Sequence, residues 1–155
     1  MSSKARGTYA LLLALSEETT ITVGRLGTFR FPAGHYVYVG SAMASGGLEA
    51  RLARHCRRDK KLRWHIDYVL AHAQIVDVET DASGRRLECS WARALLDAPG
   101  TQVVVPHLGS SDCSCPSHLV YLGKGECLHW AIPMVRGRVG QLQTEEHEGL
   151  AWPPL

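Results

Sequence analysis

The chain has 155 residues, of which 45% are hydrophobic and 21% charged, and its formal net charge at pH 7 is +2. These values are typical of one globular domain whose core needs no disulfide or metal to hold it together. No apolar segment approaches the roughly 20 residues that a membrane-spanning helix needs, and the N-terminus lacks the apolar stretch of a secretory signal. We therefore predict a single cytoplasmic domain over residues 1–155, without a membrane partner and with a surface tail from about residue 143.

The first 42 residues contain short apolar and β-branched runs that turn residues separate. The runs are typical of strands, and the glycines and prolines between them favour tight turns. We predict an antiparallel meander with strands at 8–15, 21–23, 28–31 and 35–39.

The remainder alternates helical and strand-like patterns. Apolar residues three and four apart predict helices at 48–58, 64–73 and 87–96. A short strand is predicted at 75–79, and segments 101–105 and 118–122 could pair as two more. The fold class is therefore α/β of the α+β type, with a small, mainly antiparallel central sheet flanked by helices.

Positive charge is concentrated in residues 51–63. This segment has seven basic residues and one acidic residue, which leaves 10 basic and 14 acidic residues elsewhere. Such a patch is expected on a surface that binds a polyanion, although a solvated helix face would look the same. The candidate nucleic-acid-binding residues are Arg54, Arg57, Arg58, Lys60, Lys61 and Arg63.

Two tyrosine motifs precede the basic helix. Gly7-Thr8-Tyr9 opens the first predicted strand, and Tyr38-Val39-Gly40-Ser41 ends a later one. Arg51 and His55 then follow on a helix, and Glu88 lies in the third predicted helix. This order resembles the GIY-YIG nuclease family, in which paired Gly-x-Tyr and Tyr-x-Gly strands precede a helix with Arg and His and a later helix with a metal-binding Glu.

The chain further resembles one branch of that family, through residues 38–42, 64–67 and 111–118. Three features depart from the family pattern. Thr8 and Val39 replace the isoleucines that name the motif, although both are β-branched and suit a strand. The motif tyrosines are 29 residues apart, more than in most members, because residues 21–31 form an additional predicted hairpin. The family's late Asn has no clear counterpart.

The resemblance implies catalytic roles for Tyr9, Tyr38, Arg51, His55 and Glu88. Glu88 would hold one Mg²⁺ or Mn²⁺, ions that bind through few carboxylates and keep several waters. Arg51 would bind the scissile phosphate through its guanidinium fork. Tyr9 and Tyr38 would face one another on neighbouring strands, and one of them would place the attacking water. On residue type alone, Glu88 could instead be an exposed glutamate that favours the helix dipole, and the tyrosines could be core residues.

Further residues are candidates for supporting roles. Gly7 and Gly40 would allow close approach of backbone or phosphate, or would simply form turns. His65 and Asp67 are two positions apart, so they do not share a helical face and should not form a dyad. Trp64 could stack on a base or cap the core. The supporting candidates are Gly7, Gly40, Ser41, His65, Asp67, Asp112 and His118.

Five cysteines in no disulfide-scaffold pattern indicate free thiols or metal ligands. Cys113, Cys115 and His118, followed by Cys127 and His129, could bind a structural zinc ion. Alternatively, this segment is a loop that folds over the active site, with Asp112 or His118 supporting the metal or the phosphate. It could also be an ordinary loop with buried thiols.

The sequence thus predicts a metal-dependent endonuclease that acts on nucleic acid, on DNA in preference to RNA. One alternative is a non-catalytic nucleic-acid-binding module, which could serve a repair or recombination protein. The other is an interaction domain stabilised by zinc.

Overall fold

The computed structural model describes residues 5–110 and 113–124. They form a mainly antiparallel sheet with three α-helices, which confirms the predicted α+β class. In chain order the elements are β1 (Gly7–Leu15), β2 (Thr19–Thr22), β3 (Thr28–Phe31), β4 (Gly34–Ala42), α1 (Gly47–Cys56), α2 (His65–Leu70), β5 (Gln74–Asp81), α3 (Glu88–Leu96) and β6 (Leu119–Gly123).

The main sheet has the strand order β5-β1-β4-β6, and all of its pairings are antiparallel. The predicted meander is wrong, because β1 pairs with β4 and β5, while β2 and β3 form a separate two-stranded sheet. The side chains explain this arrangement. Residues of β1 are buried on both faces, which requires a central strand, whereas Ile21 and Phe31 bury only one face of the hairpin.

Alternation along β1 and β4 divides the core into two layers. Leu11, Leu13 and Tyr36 pack on one face against residues of α1 and α2. On the other face, Leu12 and Val37 pack against Trp91 of α3. The sheet therefore lies between α1 and α2 on one side and α3 on the other.

Several predicted boundaries differ from the observed ones. Helix α1 ends at Cys56 and not at residue 58, and Cys56 is exposed. Helix α2 covers only His65–Leu70, and the predicted strand at 101–105 is reduced to one bridge between Gln102 and Tyr121. The predicted tail from about residue 143 lies outside the described residues. Among the residues described, none of the helices is long and apolar enough to cross a membrane.

Candidate functional site

A cleft of about 500 Å³ lies beside the C-terminal end of β4. Side chains from β4, α1, α2, the start of α3 and the segment before β6 line it. The predicted site residues on its wall are Tyr38, Gly40, Ser41, Arg51, Arg63, His65, Glu88 and His118. Positions that are far apart in the sequence thus meet at one concave site. The cleft also contains Trp64, Arg86, Cys89, Gly109 and Cys113.

Arg51 is held against one wall of this cleft. Its Nη1 donates a hydrogen bond of 2.8 Å to the backbone carbonyl of Ser41. Its guanidinium carbon lies 4.4 Å from the centre of the Trp64 ring, a distance that allows a cation–π interaction. A guanidinium carries five N–H donors, so these contacts orient Arg51 and still leave donors that can bind an anion.

Tyr9 and His55 lie behind the cleft and not on its wall. Both side chains are buried, and the Tyr9 hydroxyl is 2.7 Å from His55 Nε2. Gly40 allows this arrangement, because a Cβ at that position would overlap the Tyr9 hydroxyl. Burial lowers the pKa of His55 to about 4, and the nearby Arg51 and Lys60 act in the same direction against the opposite effect of Asp67. His55 is therefore neutral near pH 7.

Tyr38 joins the buried pair to the cleft, as its ring centre lies 6.2 Å from that of Tyr9. The two tyrosines thus face one another on neighbouring strands, as the sequence predicted. Burial raises the pKa of Tyr9 to about 12 despite the opposing effect of Arg51. Burial also raises the pKa of Tyr38 well above its usual value, and the charge of Glu88 adds to this. Both phenols therefore remain protonated at neutral pH.

Glu88 begins α3, and a threonine from the first motif anchors the chain just before it. The Thr8 hydroxyl donates to the Arg85 carbonyl at 3.0 Å and accepts from the Leu87 N–H at 2.9 Å. Glu88 Oε1 is buried and has no hydrogen-bond partner among the residues described. A buried carboxylate oxygen needs a donor or a cation, so this atom is a candidate metal ligand.

The residues of the predicted basic patch differ in their surroundings. Arg54 donates to both carboxylate oxygens of the buried Asp67 at 2.9 Å, and it lies 4.1 Å from the Trp64 ring centre. Lys60 donates to the carbonyls of His55 and Arg57 at the end of α1. Arg54 and Lys60 thus have structural contacts, whereas Arg57, Arg58, Lys61 and Arg63 are exposed.

Several supporting candidates have structural roles. Asp67 holds Arg54 and accepts hydrogen bonds from the backbone of Arg63 and Trp64. His65 Nδ1 accepts from the Gly109 N–H at 3.1 Å, so His65 and Asp67 form no dyad. A Cβ at position 7 would overlap the backbone carbonyl of Asp81, so the close packing of the two strands requires a glycine there. Asp112 lies outside the described residues.

One wall of the cleft contains a Cys₃His cluster that could hold a metal ion. The ligand atoms of Cys89, Cys113, Cys115 and His118 all lie within 4.8 Å of one another. Burial and the neighbouring thiols raise the pKa of Cys89 to about 12. The sequence pattern predicts a group of Cys113, Cys115 and His118 but does not reveal Cys89, which lies 24 residues before Cys113, on α3. Cys127 and His129 fall outside the described part of the chain.

A family model described as a domain of unknown function, DUF123, matches residues 8–139 of the chain. The matched segment contains every described residue that lines the cleft. No curated protein and no solved structure matches the chain. The chemistry of the cleft is therefore the basis for assigning a function.

Proposed function

We propose that the chain, which belongs to the DUF123 family, is a divalent-metal-dependent endonuclease that hydrolyses phosphodiester bonds, in DNA in preference to RNA. The observation that carries this proposal is the convergence of Arg51, Tyr38 and Glu88 on one cleft. They come from three different elements, and they are the residues on the cleft wall to which the resemblance to GIY-YIG nucleases gives catalytic roles. Together they offer a phosphate-binding cation, a phenol and a carboxylate.

Glu88 is the candidate ligand for Mg²⁺ or Mn²⁺, because its buried Oε1 lacks a partner among the described residues and is a hard oxygen donor. When bound, such an ion would polarise the phosphate and lower the pKa of a coordinated water. Among the described residues, another carboxylate beside the cleft, that of Asp67, accepts hydrogen bonds from Arg54, Arg63 and Trp64. Glu88 is thus the carboxylate in this cleft that is best placed to bind a metal.

Arg51 would bind the phosphate that is cut. The Ser41 carbonyl and the Trp64 ring fix its guanidinium before any ligand arrives, so little side-chain entropy remains to be lost on binding. Donors that are oriented in advance stabilise the negative charge that develops in the transition state.

The tyrosines would orient the attacking water or a phosphate oxygen through hydrogen bonds. They would not act as bases that take a proton from the water. Both phenols have raised pKa values, so each is a hydrogen-bond donor near pH 7. Tyr38 is on the cleft wall and can donate directly, whereas Tyr9 is buried behind it against His55. His55 is then a positioning residue that holds Tyr9.

Cleavage assays test the proposal. The purified full chain is incubated with supercoiled plasmid, branched DNA and structured RNA in Mg²⁺, Mn²⁺ or EDTA. We expect metal-dependent cutting that Glu88→Gln and Arg51→Ala each reduce by about 10²-fold or more. Glu49→Gln is the matched control, because Glu49 also lies in the first turn of a helix but is exposed away from the cleft.

Unchanged cutting by Glu88→Gln would contradict the assigned mechanism. Metal-independent binding of nucleic acid without any cutting would favour the second candidate, a binding module that could assist a repair or recombination protein. The exposed Arg57, Arg58 and Lys61 support that candidate. The Cys₃His cluster supports the third, an interaction domain stabilised by zinc.

A further inference from the structure

The Cys₃His cluster joins two parts of the chain that are distant in sequence. Cys89 lies in the first turn of α3, while Cys113, Cys115 and His118 belong to the segment that leads into β6. That segment is folded back on itself, since the His107 N–H donates to the Pro116 carbonyl and the His118 N–H donates to the Leu108 carbonyl. This fold brings its ligand atoms toward Cys89.

Two distances within the cluster are close to those of a tetrahedral site. His118 Nε2 lies 3.5 Å from Cys113 Sγ and 3.9 Å from Cys89 Sγ. Zinc bonds of about 2.3 Å to sulfur and about 2.0–2.1 Å to nitrogen, at tetrahedral angles, place sulfur and nitrogen ligands about 3.6 Å apart. Cys115 is buried at 0% exposure, so its thiol is shielded from solvent as a structural ligand would be.

We propose that Cys89, Cys113, Cys115 and His118 form a tetrahedral zinc site. Three thiolates and one imidazole are soft and borderline donors that select zinc over Mg²⁺ or Mn²⁺. Four protein ligands fill the tetrahedral coordination, so the role of the ion is structural and not catalytic. This site is distinct from the hard-metal site at Glu88 and does not depend on nuclease activity.

The position of the site gives the zinc a specific structural task. Cys89, Cys113 and His118 line the cleft, and Cys89 directly follows Glu88 in the chain. Zinc would therefore fasten the segment before β6 to the first turn of α3 and fix one wall of the cleft. Gly109, in that same segment, donates to His65 and so connects the wall to α2.

Metal analysis of the full chain tests the proposal without any activity measurement. Protein purified from zinc-containing medium without chelators is expected to hold about one zinc ion per chain. Cys89→Ser and Cys113→Ser are expected to lose the zinc. Cys56→Ser is the matched control and should retain it, because Cys56 is an exposed thiol outside the cluster.

Cobalt substitution keeps the test valid if those variants do not fold. Cobalt-loaded native protein should show thiolate-to-cobalt charge-transfer bands and the visible bands of tetrahedral cobalt, and zinc should abolish both by displacement. Folded native protein that takes up no zinc would overturn the proposal. A cobalt spectrum typical of six-coordinate geometry would also overturn it. The same holds if Cys127→Ser loses the zinc while Cys89→Ser retains it.

Discussion

The Tyr9 hydroxyl lies 2.7 Å from Nε2 of His55, and the two residues are 1% and 3% exposed. His55 Nδ1 is buried without a hydrogen-bond partner in the part of the chain that the structure describes. An unpaired buried N–H is rarer and costs more than an unpaired acceptor, which favours the tautomer with the proton on Nε2. The histidine then donates to the Tyr9 oxygen.

Neutral His55 makes the stability of the fold depend on pH. Burial lowers its pKa to about 4 in the folded chain, from 6.5 in a model peptide. The unfolded state therefore binds more protons between these values, so stability is complete above about pH 6.5 and falls as the pH drops toward 4. A difference of this size corresponds to a loss on the order of 3 kcal/mol in the free energy of unfolding.

Denaturant titrations at several pH values measure this loss. His55→Gln, which can still hydrogen-bond to Tyr9, should flatten the pH dependence. His72→Gln should leave it unchanged, because His72 is exposed and lies outside the site. An equal slope in native protein and His55→Gln would show that His55 is not the group that titrates. Burial also lowers the pKa values of His35, His65 and His118, which adds a background slope common to all three proteins.

Local sequence patterns predicted most of the helices and strands. They did not predict features that depend on packing between distant parts of the chain. Periodicity located three helices, but it could not show that β1 pairs with β5, because that pairing depends on both faces of β1 being buried. The order of the two motifs predicted that Tyr9 and Tyr38 face one another, because it places the two tyrosines on neighbouring strands. It did not place Cys89 beside Cys113, because the two thiols meet only after α3 packs against the sheet.

In the basic segment, residues 51–63, residue type also could not distinguish structural arginines from surface arginines. Residue type grouped Arg54 with the basic patch, and nothing local to the sequence marked it as different. The distinction arises from Asp67, which lies 13 residues later and is completely buried, so that it requires a cation and backbone donors. Burial of the partner, which depends on the packing of α2, therefore decides which arginine is structural.

Removing Asp67 should destabilise the fold strongly. Its carboxylate accepts two hydrogen bonds from Arg54 and one each from the N–H groups of Arg63 and Trp64. Asp67→Ala would leave Arg54, whose side chain is 17% exposed, without its partner and would uncap α2. A loss of about 3–5 kcal/mol in the free energy of unfolding is expected. Asp59→Ala, at an exposed position in the same segment, should change it by less than about 0.5 kcal/mol.

Only the cations of the cleft should contribute strongly to phosphate contacts. Arg63 and Arg86 line the cleft, whereas Arg58 and Arg93 are exposed elsewhere. Each phosphate contact contributes about 0.9 to the slope of log affinity against log salt for duplex DNA. The double variant Arg63→Ala/Arg86→Ala should therefore reduce that slope by about 2, as measured by fluorescence anisotropy at several salt concentrations. The control variant Arg58→Ala/Arg93→Ala removes the same charge and should reduce the slope much less. Equal reductions by the two double variants would contradict binding of the nucleic acid through the cleft.

Thr8 should affect the reaction without touching the substrate, because its hydroxyl fixes the chain immediately before Glu88. Thr8→Val removes the hydrogen bonds to the Arg85 carbonyl and the Leu87 N–H but preserves the size and β-branching of the side chain. Displacement of a catalytic group by about 1 Å can cost about 10²-fold in rate, so kcat should fall by up to that factor while nucleic-acid affinity changes little. Thr8→Ser retains the hydroxyl and should restore the rate. If Thr8→Val and Thr8→Ser cut equally well, the anchor is not what positions Glu88. If Thr8→Ser is slow while Thr8→Val cuts at the native rate, packing of the γ-methyl group in β1, and not the hydroxyl, is what the reaction requires.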